Sequence, residues 1–215
     1  MDLLIEKELL KFKTHVIDYA SLKSILTNLG YSNVNNKIIN LKQKGIIKDL
    51  KKGLYVHSSL LSKNLISKEI ISNILLDNPS YISLDYALYY YGLIPETVYE
   101  LTAVTAKRSR IYKTEIGVFS YKHIKKELFS VGLKIESNQI GNFVIAGIEK
   151  AVCDKIYLSK DVQLMSISSM SEFLENDLRI ELEYLSNLDL SIVSEYYELS
   201  KSRKIRILLN LLKGL

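Results

Sequence analysis

Two short amphipathic segments around a glycine constrain the fold of this chain more than any other feature of its sequence. Apolar residues recur at helical spacing in both segments, first at Leu22, Ile25, Leu26 and Leu29 and then at Val34, Ile38 and Leu41. Gly30 and Gly45 follow these segments and predict left-handed helix ends, and Ser32 is the predicted N-cap of the second helix. Two helices joined by a short glycine-containing turn predict a helix-turn-helix, and a further amphipathic segment at residues 4–10 predicts a helix before it.

A β-hairpin is predicted directly after Gly45. Two β-prone runs, residues 46–50 and 54–57, flank a turn that contains Lys51, Lys52 and Gly53. A hairpin that follows a helix-turn-helix is the wing of a winged helix, and this one has a basic tip. The sequence therefore predicts a winged helix-turn-helix DNA-binding domain in residues 1–60.

The remaining residues, 61–215, predict a second domain of mixed structure. A helix is expected within residues 61–79, and a tyrosine-rich helix is expected between a Ser83 cap and Gly92. Strand candidates lie at 101–105, 117–121, 133–136 and 143–146, and helices are predicted at 148–158 and 166–212, with breaks near Asn187 and Ser200. We expect an α+β fold in which the winged helix-turn-helix is followed by a mixed α/β domain, with a core at about 80–160 and a helical subdomain at about 165–215.

The net charge of the chain is concentrated in the predicted winged helix. Residues 1–60 carry ten Lys and five Asp or Glu, so their net charge of +5 equals that of the whole chain. The other residues carry 19 basic and 19 acidic side chains. A basic excess on a small domain with a helix-turn-helix is the electrostatic signature of contact with nucleic-acid phosphates.

The polar face of the predicted third helix carries side chains suited to reading DNA. Asn amides can hydrogen-bond to the edge of adenine, and Lys ammonium groups can reach guanine or phosphate. Together with the basic wing, this face gives the predicted DNA-binding residues Ser32, Asn33, Asn36, Lys37, Asn40, Lys44, Lys48, Lys51 and Lys52. A solvated polar face in a sequence rich in Lys and Asn is the alternative interpretation.

Two further basic clusters follow strand candidates in the second domain. The first is a candidate second DNA or partner surface and consists of Lys107, Arg108, Arg110 and Lys113. The second consists of Lys122, His123, Lys125 and Lys126. Because acidic residues elsewhere in this domain balance their charge, ordinary surface charge is the alternative interpretation.

We expect no enzyme activity, and no catalytic residue, metal site or cofactor is predicted. The three histidines, His15, His57 and His123, lack the spacing of a zinc site, and the sequence has no phosphate-binding glycine loop or nucleophile elbow. Glu149, Lys150 and Asp154 are the acid–base group of most interest, but a nuclease needs such residues on a hairpin and these lie in a predicted helix. The single cysteine, Cys153, is predicted to be a small core residue.

Nothing in the sequence predicts export or insertion into a membrane. Glu6, Lys7 and Glu8 interrupt the first apolar residues, which excludes a secretory leader. No window reaches the run of about 18 apolar residues that a transmembrane helix needs. The expected location is the cytoplasm.

Short motifs in both predicted domains resemble those of one known family. They are residues 53–56 (GLYV), 81–88 (YISLDYAL), 91–95 (YGLIP) and 145–151 (IAGIEKA), the last followed by Asp154. Across about residues 21–158 their order and spacing resemble the AbiEi family, the antitoxins of type IV abortive-infection toxin–antitoxin systems. Ile148 stands where this family often has proline.

This resemblance implies a protein with two functional parts. The N-terminal winged helix would bind inverted repeats in the promoter of its own operon and repress transcription. The C-terminal domain would assist repression and counter a partner toxin that resembles a nucleotidyltransferase, without forming a stable complex. Two other hypotheses remain open: a winged-helix transcriptional regulator whose C-terminal domain binds a small molecule or protein, and a nuclease subunit of a defence system.

Overall fold

The computed structural model describes residues 2–12, 14, 16–59, 66–76, 78–160 and 162–215. Within these residues the chain is a mixed α+β protein, as the sequence predicts. The predicted domain boundary between residues 60 and 61 lies outside the described residues, as does His15.

Three helices and a small antiparallel sheet form the N-terminal part. Their bounds are α1 Asp2–Leu9, β1 Val16–Asp18, α2 Tyr19–Asn28, α3 Val34–Gln43, β2 Ile47–Lys51 and β3 Leu54–His57. The predicted helices and the predicted hairpin are therefore confirmed as elements. Strand β1 is an addition, because the sheet has the order β1-β3-β2 and the sequence indicated only the last two strands.

The structure corrects the predicted N-cap of α3 and agrees with the predicted end of this helix. Asn33, not Ser32, is the N-cap, and its side-chain oxygen accepts a hydrogen bond from the backbone N–H of Asn36 at 3.1 Å. Asn and Ser satisfy a free helical N–H about equally well, so residue preference alone does not separate Ser32 from the neighbouring Asn33. The C-terminal end is as predicted, since Gly45 adopts a left-handed conformation with φ of 66°.

The small sheet is buried on both faces. Ile17 and Tyr55 pack with the apolar stripes of the three helices. Val16, Leu54 and Val56 alternate with them along the strands and belong to the large hydrophobic cluster of the C-terminal part. The hairpin that the sequence predicts to be a wing is therefore part of a buried boundary between the two parts of the chain.

A six-stranded mixed sheet lies at the centre of the C-terminal part. The elements in chain order are α4 Lys68–Leu75, β4 Ser80–Ile82, α5 Leu84–Tyr90, β5 Leu101–Thr105, β6 Arg110–Thr114, β7 Gly117–His123, a 3-10 turn at Lys126–Leu128, β8 Leu133–Ser137, β9 Asn142–Ala146 and α6 Ile148–Leu158. The strand order is β6-β7-β5-β4-β9-β8, with β5 parallel to β7 and β4 parallel to β9. The four predicted strands are confirmed to within two residues, whereas β4 and β6 were not predicted.

Helices pack on both faces of this sheet. Helix α4 lies on one face, where the Tyr121 hydroxyl donates a hydrogen bond to the backbone carbonyl of Ser72 at 2.7 Å. Helix α5 lies on the other face, where the backbone N–H of Tyr86 donates to the hydroxyl of Thr102 at 3.0 Å. Helix α6 packs against α5.

The C-terminal helices complete the same core. They are α7 Ile167–Glu172, a π-helical turn at Phe173–Asp177, α8 Leu182–Leu185, α9 Leu190–Ser200 and α10 Arg203–Leu212. The predicted breaks near Asn187 and Ser200 are confirmed, and residues 178–181 form a further break. Leu174, Val193 and Leu208 are fully buried in the cluster that contains the large sheet, so the helical end shares its core. Among the helices that the structure describes, none is long and apolar enough to cross a membrane.

Candidate nucleic-acid interface

Helix α3 presents an outer face that differs in part from the predicted one. Ile38 and Leu41 are buried, so the side facing solvent lies opposite them on a helix that turns by about 100° per residue. The exposed residues of this outer face are Asn35, Asn36, Ile39 and Gln43, with the half-buried Asn40 at its border. The structure thus keeps Asn36 and Asn40 as candidates and adds three residues that the sequence reasoning missed.

Ile39 is the least expected member of the outer face. Its side chain is 52% exposed, although the neighbouring Ile38 is buried. Apolar contact with the methyl group of thymine is a recognised way of reading DNA in the major groove, and Asn or Gln amides beside it can read base edges. Asn35 is held in position because its Oδ1 accepts a hydrogen bond from the hydroxyl of Tyr19 at 2.8 Å. Periodicity assigns an apolar residue to the core by default, which is why Ile39 was overlooked.

One carboxylate of α1 holds two of the predicted DNA-contacting lysines. The Nζ atoms of Lys37 and Lys44 each lie 2.6 Å from an oxygen of Asp2. Hydrogen bonds from these two ammonium groups lower the pKa of Asp2 to about 2, and the same carboxylate raises the pKa of Lys37. Asp2 and Lys37 are therefore charged at neutral pH. Lys37 and Lys44 can contact phosphate only if Asp2 releases or shares them.

Replacing Asp2 is expected to strengthen DNA binding. In an Asp2→Asn chain, Lys37 and Lys44 are free to pair with phosphates, so the slope of log affinity against log salt should steepen by about 1 to 2. Fluorescence anisotropy of a labelled DNA duplex across a salt series measures this slope. Glu8→Gln is the matched control, since it removes a carboxylate of the same helix that pairs with the exposed Lys11. Equal slopes for both variants would show that Lys37 and Lys44 do not face DNA.

The predicted wing lysines occupy three different environments. Lys48 forms an ion pair with Glu115 in the turn between β6 and β7, which links the hairpin to the C-terminal part. Lys51 is half-buried, whereas Lys52 is exposed at the hairpin tip. Lys52 is therefore the wing lysine placed best for a phosphate contact. Ser32 and Asn33, just before α3, are also exposed.

The four residues of the candidate second surface do not lie on one face. Lys107 and Arg108 are exposed in the loop before β6, and Arg110 is the first residue of that strand. Lys113 is three residues further along, so its side chain projects from the opposite face of the strand. The sequence cluster is thus divided between the two faces of an edge strand.

Two of the three residues of the acid–base group on α6, Lys150 and Asp154, lie in the interior, whereas Glu149 is half-buried. The side chains of Lys150 and Asp154 are fully buried, and Lys150 Nζ lies 3.4 Å from Asp154 Oδ1. Asp154 also accepts hydrogen bonds from the hydroxyls of Tyr81, Ser83 and Tyr196 at 2.9, 2.8 and 2.8 Å. Lys150 donates to the backbone carbonyl of Leu128 at 2.8 Å. We refer to Tyr81, Ser83, Lys150, Asp154 and Tyr196 as the buried polar network.

This network joins residues that are far apart in the sequence. Burial raises the pKa of Asp154 and lowers that of Lys150, and the four donors around the carboxylate oppose the effect of burial on Asp154. Ser83 is the N-cap residue of α5, as predicted, but its hydroxyl donates to Asp154 and does not accept a hydrogen bond from a backbone N–H of the helix. Neither charged group is accessible to a substrate, so the geometry supports a role in holding β4, α6 and α9 together.

Two other sequence predictions concern metal binding and cysteine chemistry. Within the described ranges, no three His, Cys, Asp or Glu side chains come close enough to hold a metal ion. Cys153 is fully buried, as predicted, and burial raises the pKa of its thiol.

Comparison with known proteins identifies only distant structural similarity. The sequence matches no protein-family model and no curated protein. A protein from H. pylori that is provisionally assigned as a nucleotidyltransferase aligns with 68% of this chain and 78% of its own, at 13% identity and a TM-score of 0.34. JHP933 from Helicobacter pylori aligns with 73% of this chain and 82% of its own, at 15% identity and a TM-score of 0.32. At this level of similarity neither protein informs the function of this chain.

Proposed function

We propose that this chain is a sequence-specific, duplex-DNA-binding protein that represses transcription of its own operon. Residues 2–57 act as a winged helix-turn-helix, in which α3 is the recognition helix and the hairpin of β2 and β3 is the wing. The observation that carries this proposal is the outer face of α3. It combines three exposed amide side chains with an exposed isoleucine, and Lys52 is exposed at the tip of the hairpin.

The outer face of α3 suits the major groove of DNA in shape and in chemistry. A single helix fits this groove, and Asn and Gln amides can form paired hydrogen bonds with adenine there. Lys52 supplies a phosphate contact that fixes orientation without reading sequence. Because one winged helix contacts few base pairs, we propose that two molecules bind the two halves of an inverted repeat.

We further propose that the chain is the antitoxin of a type IV toxin–antitoxin pair. The support is the resemblance to the AbiEi family in residues 53–56, 81–95 and 145–154. The structure adds that Tyr81, Ser83, Lys150 and Asp154, which belong to these motifs, contact one another in the buried polar network. These motifs therefore describe how the C-terminal part is built, and the antitoxin function rests on the resemblance alone. The partner would be a nucleotidyltransferase-like toxin countered by the C-terminal part, without a stable complex.

The DNA-binding proposal predicts different outcomes for two kinds of variant. Asn36→Ala should reduce discrimination between the operon's own promoter and a scrambled duplex by roughly 1–3 kcal/mol, because it removes a base contact. Lys52→Ala should weaken binding to both duplexes equally and lower the salt slope by about 1, because it removes a phosphate contact. Anisotropy titrations on the two duplexes measure both quantities.

The control for this experiment is Lys134→Ala, which removes an exposed lysine on β8 of the C-terminal part. It should leave both the discrimination and the salt slope unchanged. The proposal fails if the Asn36→Ala chain, folded by circular dichroism, discriminates between the duplexes as well as the unmodified chain does.

A further inference from the structure

A groove lies at the edge of the large sheet, in the C-terminal part of the chain. Its volume is about 1290 Å³, and its lining comes from β6, β7, the residues after β7 and the end of α6. Ile111 and Ser120 are opposite one another on β6 and β7, so they project from the same face of the sheet as Lys122. The groove therefore has the exposed face of two strands on one side and the end of a helix on the other.

The lining of this groove is basic. Arg110, Lys122, Lys125 and Lys160 all contribute and are all exposed, whereas Glu100 is the acidic member of the lining that the structure describes. None of the four cations forms an ion pair with a carboxylate of a described residue. Four cations that form no ion pair within the described part of the chain, beside one concave surface, attract an anionic ligand.

The same groove also exposes apolar surface. Ile111 is 67% exposed, and Tyr157, Leu158 and Val162 are half-buried where they line the groove. Cations combined with apolar and aromatic surface are typical of proteins that bind single-stranded nucleic acid, since the cations follow the backbone while the bases pack on the apolar side chains.

Three features favour a single strand over other anionic ligands. In a duplex the base faces are stacked on one another, so the apolar lining would meet no base. A compact polyphosphate prefers a helix N-terminus, whereas α6 directs its C-terminal end, at Leu158 and Ser159, into this groove. The volume also exceeds the roughly 300–1,000 Å³ of typical small-molecule pockets. We propose that this groove, in the C-terminal part of the chain, binds single-stranded nucleic acid.

Hydrogen bonds from His123 hold the loop at the rim of the groove in place. The backbone N–H of His123 donates to the hydroxyl of Ser109 at 2.9 Å, and a ring nitrogen of His123 lies 2.9 Å from the backbone carbonyl of Lys107. Because a carbonyl can only accept, this nitrogen, Nδ1, is the donor in the contact. The loop that carries Lys107 and Arg108 is thus fastened to the end of β7, next to Lys122.

The test uses the full chain and two fluorescent 12-nucleotide probes, one of oligouridine and one of oligothymidine. Both probes should bind, because the groove offers cations and apolar surface to either sugar type. A Lys122→Glu/Lys125→Glu chain should bind both probes at least about tenfold more weakly. Two lysines that attract phosphates of the probe are replaced by carboxylates that repel them. A Lys134→Glu/Lys213→Glu chain is the control, because it changes the net charge equally at exposed positions that do not line the groove.

A third variant separates apolar contact from charge. Ile111→Ser, at a position already exposed, should weaken probe binding by about twofold to fivefold and leave the salt slope unchanged. Binding of duplex promoter DNA should be unaffected by Ile111→Ser. The proposal is overturned if neither probe binds, if both double variants lose affinity equally, or if ATP competes for the groove as strongly as the probes bind.

Discussion

An Asp154→Ala chain is expected to lose about 3–5 kcal/mol of unfolding free energy, the usual cost of breaking a buried ion pair from one side. The substitution removes the acceptor for the hydroxyls of Tyr81, Ser83 and Tyr196 and leaves the Lys150 ammonium without its counter-charge. All of these groups are buried, so water cannot replace the lost acceptor without opening the core. Urea denaturation followed by circular dichroism measures the loss.

Three further variants identify which interactions account for the unfolding free energy lost by Asp154→Ala. Asp177→Ala makes the same change at an exposed site that forms no ion pair with another described residue, and should cost less than about 0.5 kcal/mol. Tyr81→Phe removes one donor to a charged acceptor and should cost about 1.5–3 kcal/mol. Lys150→Met/Asp154→Leu removes both charges and should recover part of the stability lost by Asp154→Ala. If Asp154→Ala proves no more destabilising than Asp177→Ala, the network is not a determinant of stability.

Repression and protection from toxin are expected to separate in the full-length chain. An Asn36→Ala/Lys52→Ala chain should release a promoter reporter from repression by about tenfold or more, because a loss of 1.4 kcal/mol in binding is tenfold in affinity. The same chain, expressed from an unrelated promoter, should still rescue cells from the toxin, since both substitutions lie outside the C-terminal part. Reporter activity and colony counts measure the two effects.

The separation of repression from protection is tested in the full-length chain, and not in fragments, for a structural reason. Val16, Leu54 and Val56 are buried in the cluster of the C-terminal part, so a fragment without residues 1–60 would expose apolar surface that they cover. Failure of such a fragment to protect cells would not distinguish lost function from lost folding. In the full-length double variant, loss of rescue with an unchanged circular dichroism spectrum would contradict the assignment of antitoxicity to the C-terminal part.

The elements of the N-terminal part could be predicted because their signals are local. The apolar stripes, the left-handed Gly30 and Gly45 and the basic hairpin turn each occupy fewer than a dozen consecutive residues, and the backbone responds to them directly. The same holds for strand β5 and helix α6, whose predicted bounds agree with the structure. Strands β1 and β4 escaped prediction because three residues are too few to show alternation.

The amino-acid sequence by itself thus determined the order of the local elements, the position of the basic excess and the burial of Cys153. Only the tertiary structure decided which polar side chains are already paired. Asp2 reaches Lys37 across 35 residues, Lys48 reaches Glu115 across 67, and Asp154 meets Ser83 across 71. Such pairings depend on the packing of distant elements, and no local propensity encodes them. For the same reason the exposed Ile39 and the basic groove beside α6 became visible only when the burial of each side chain was known.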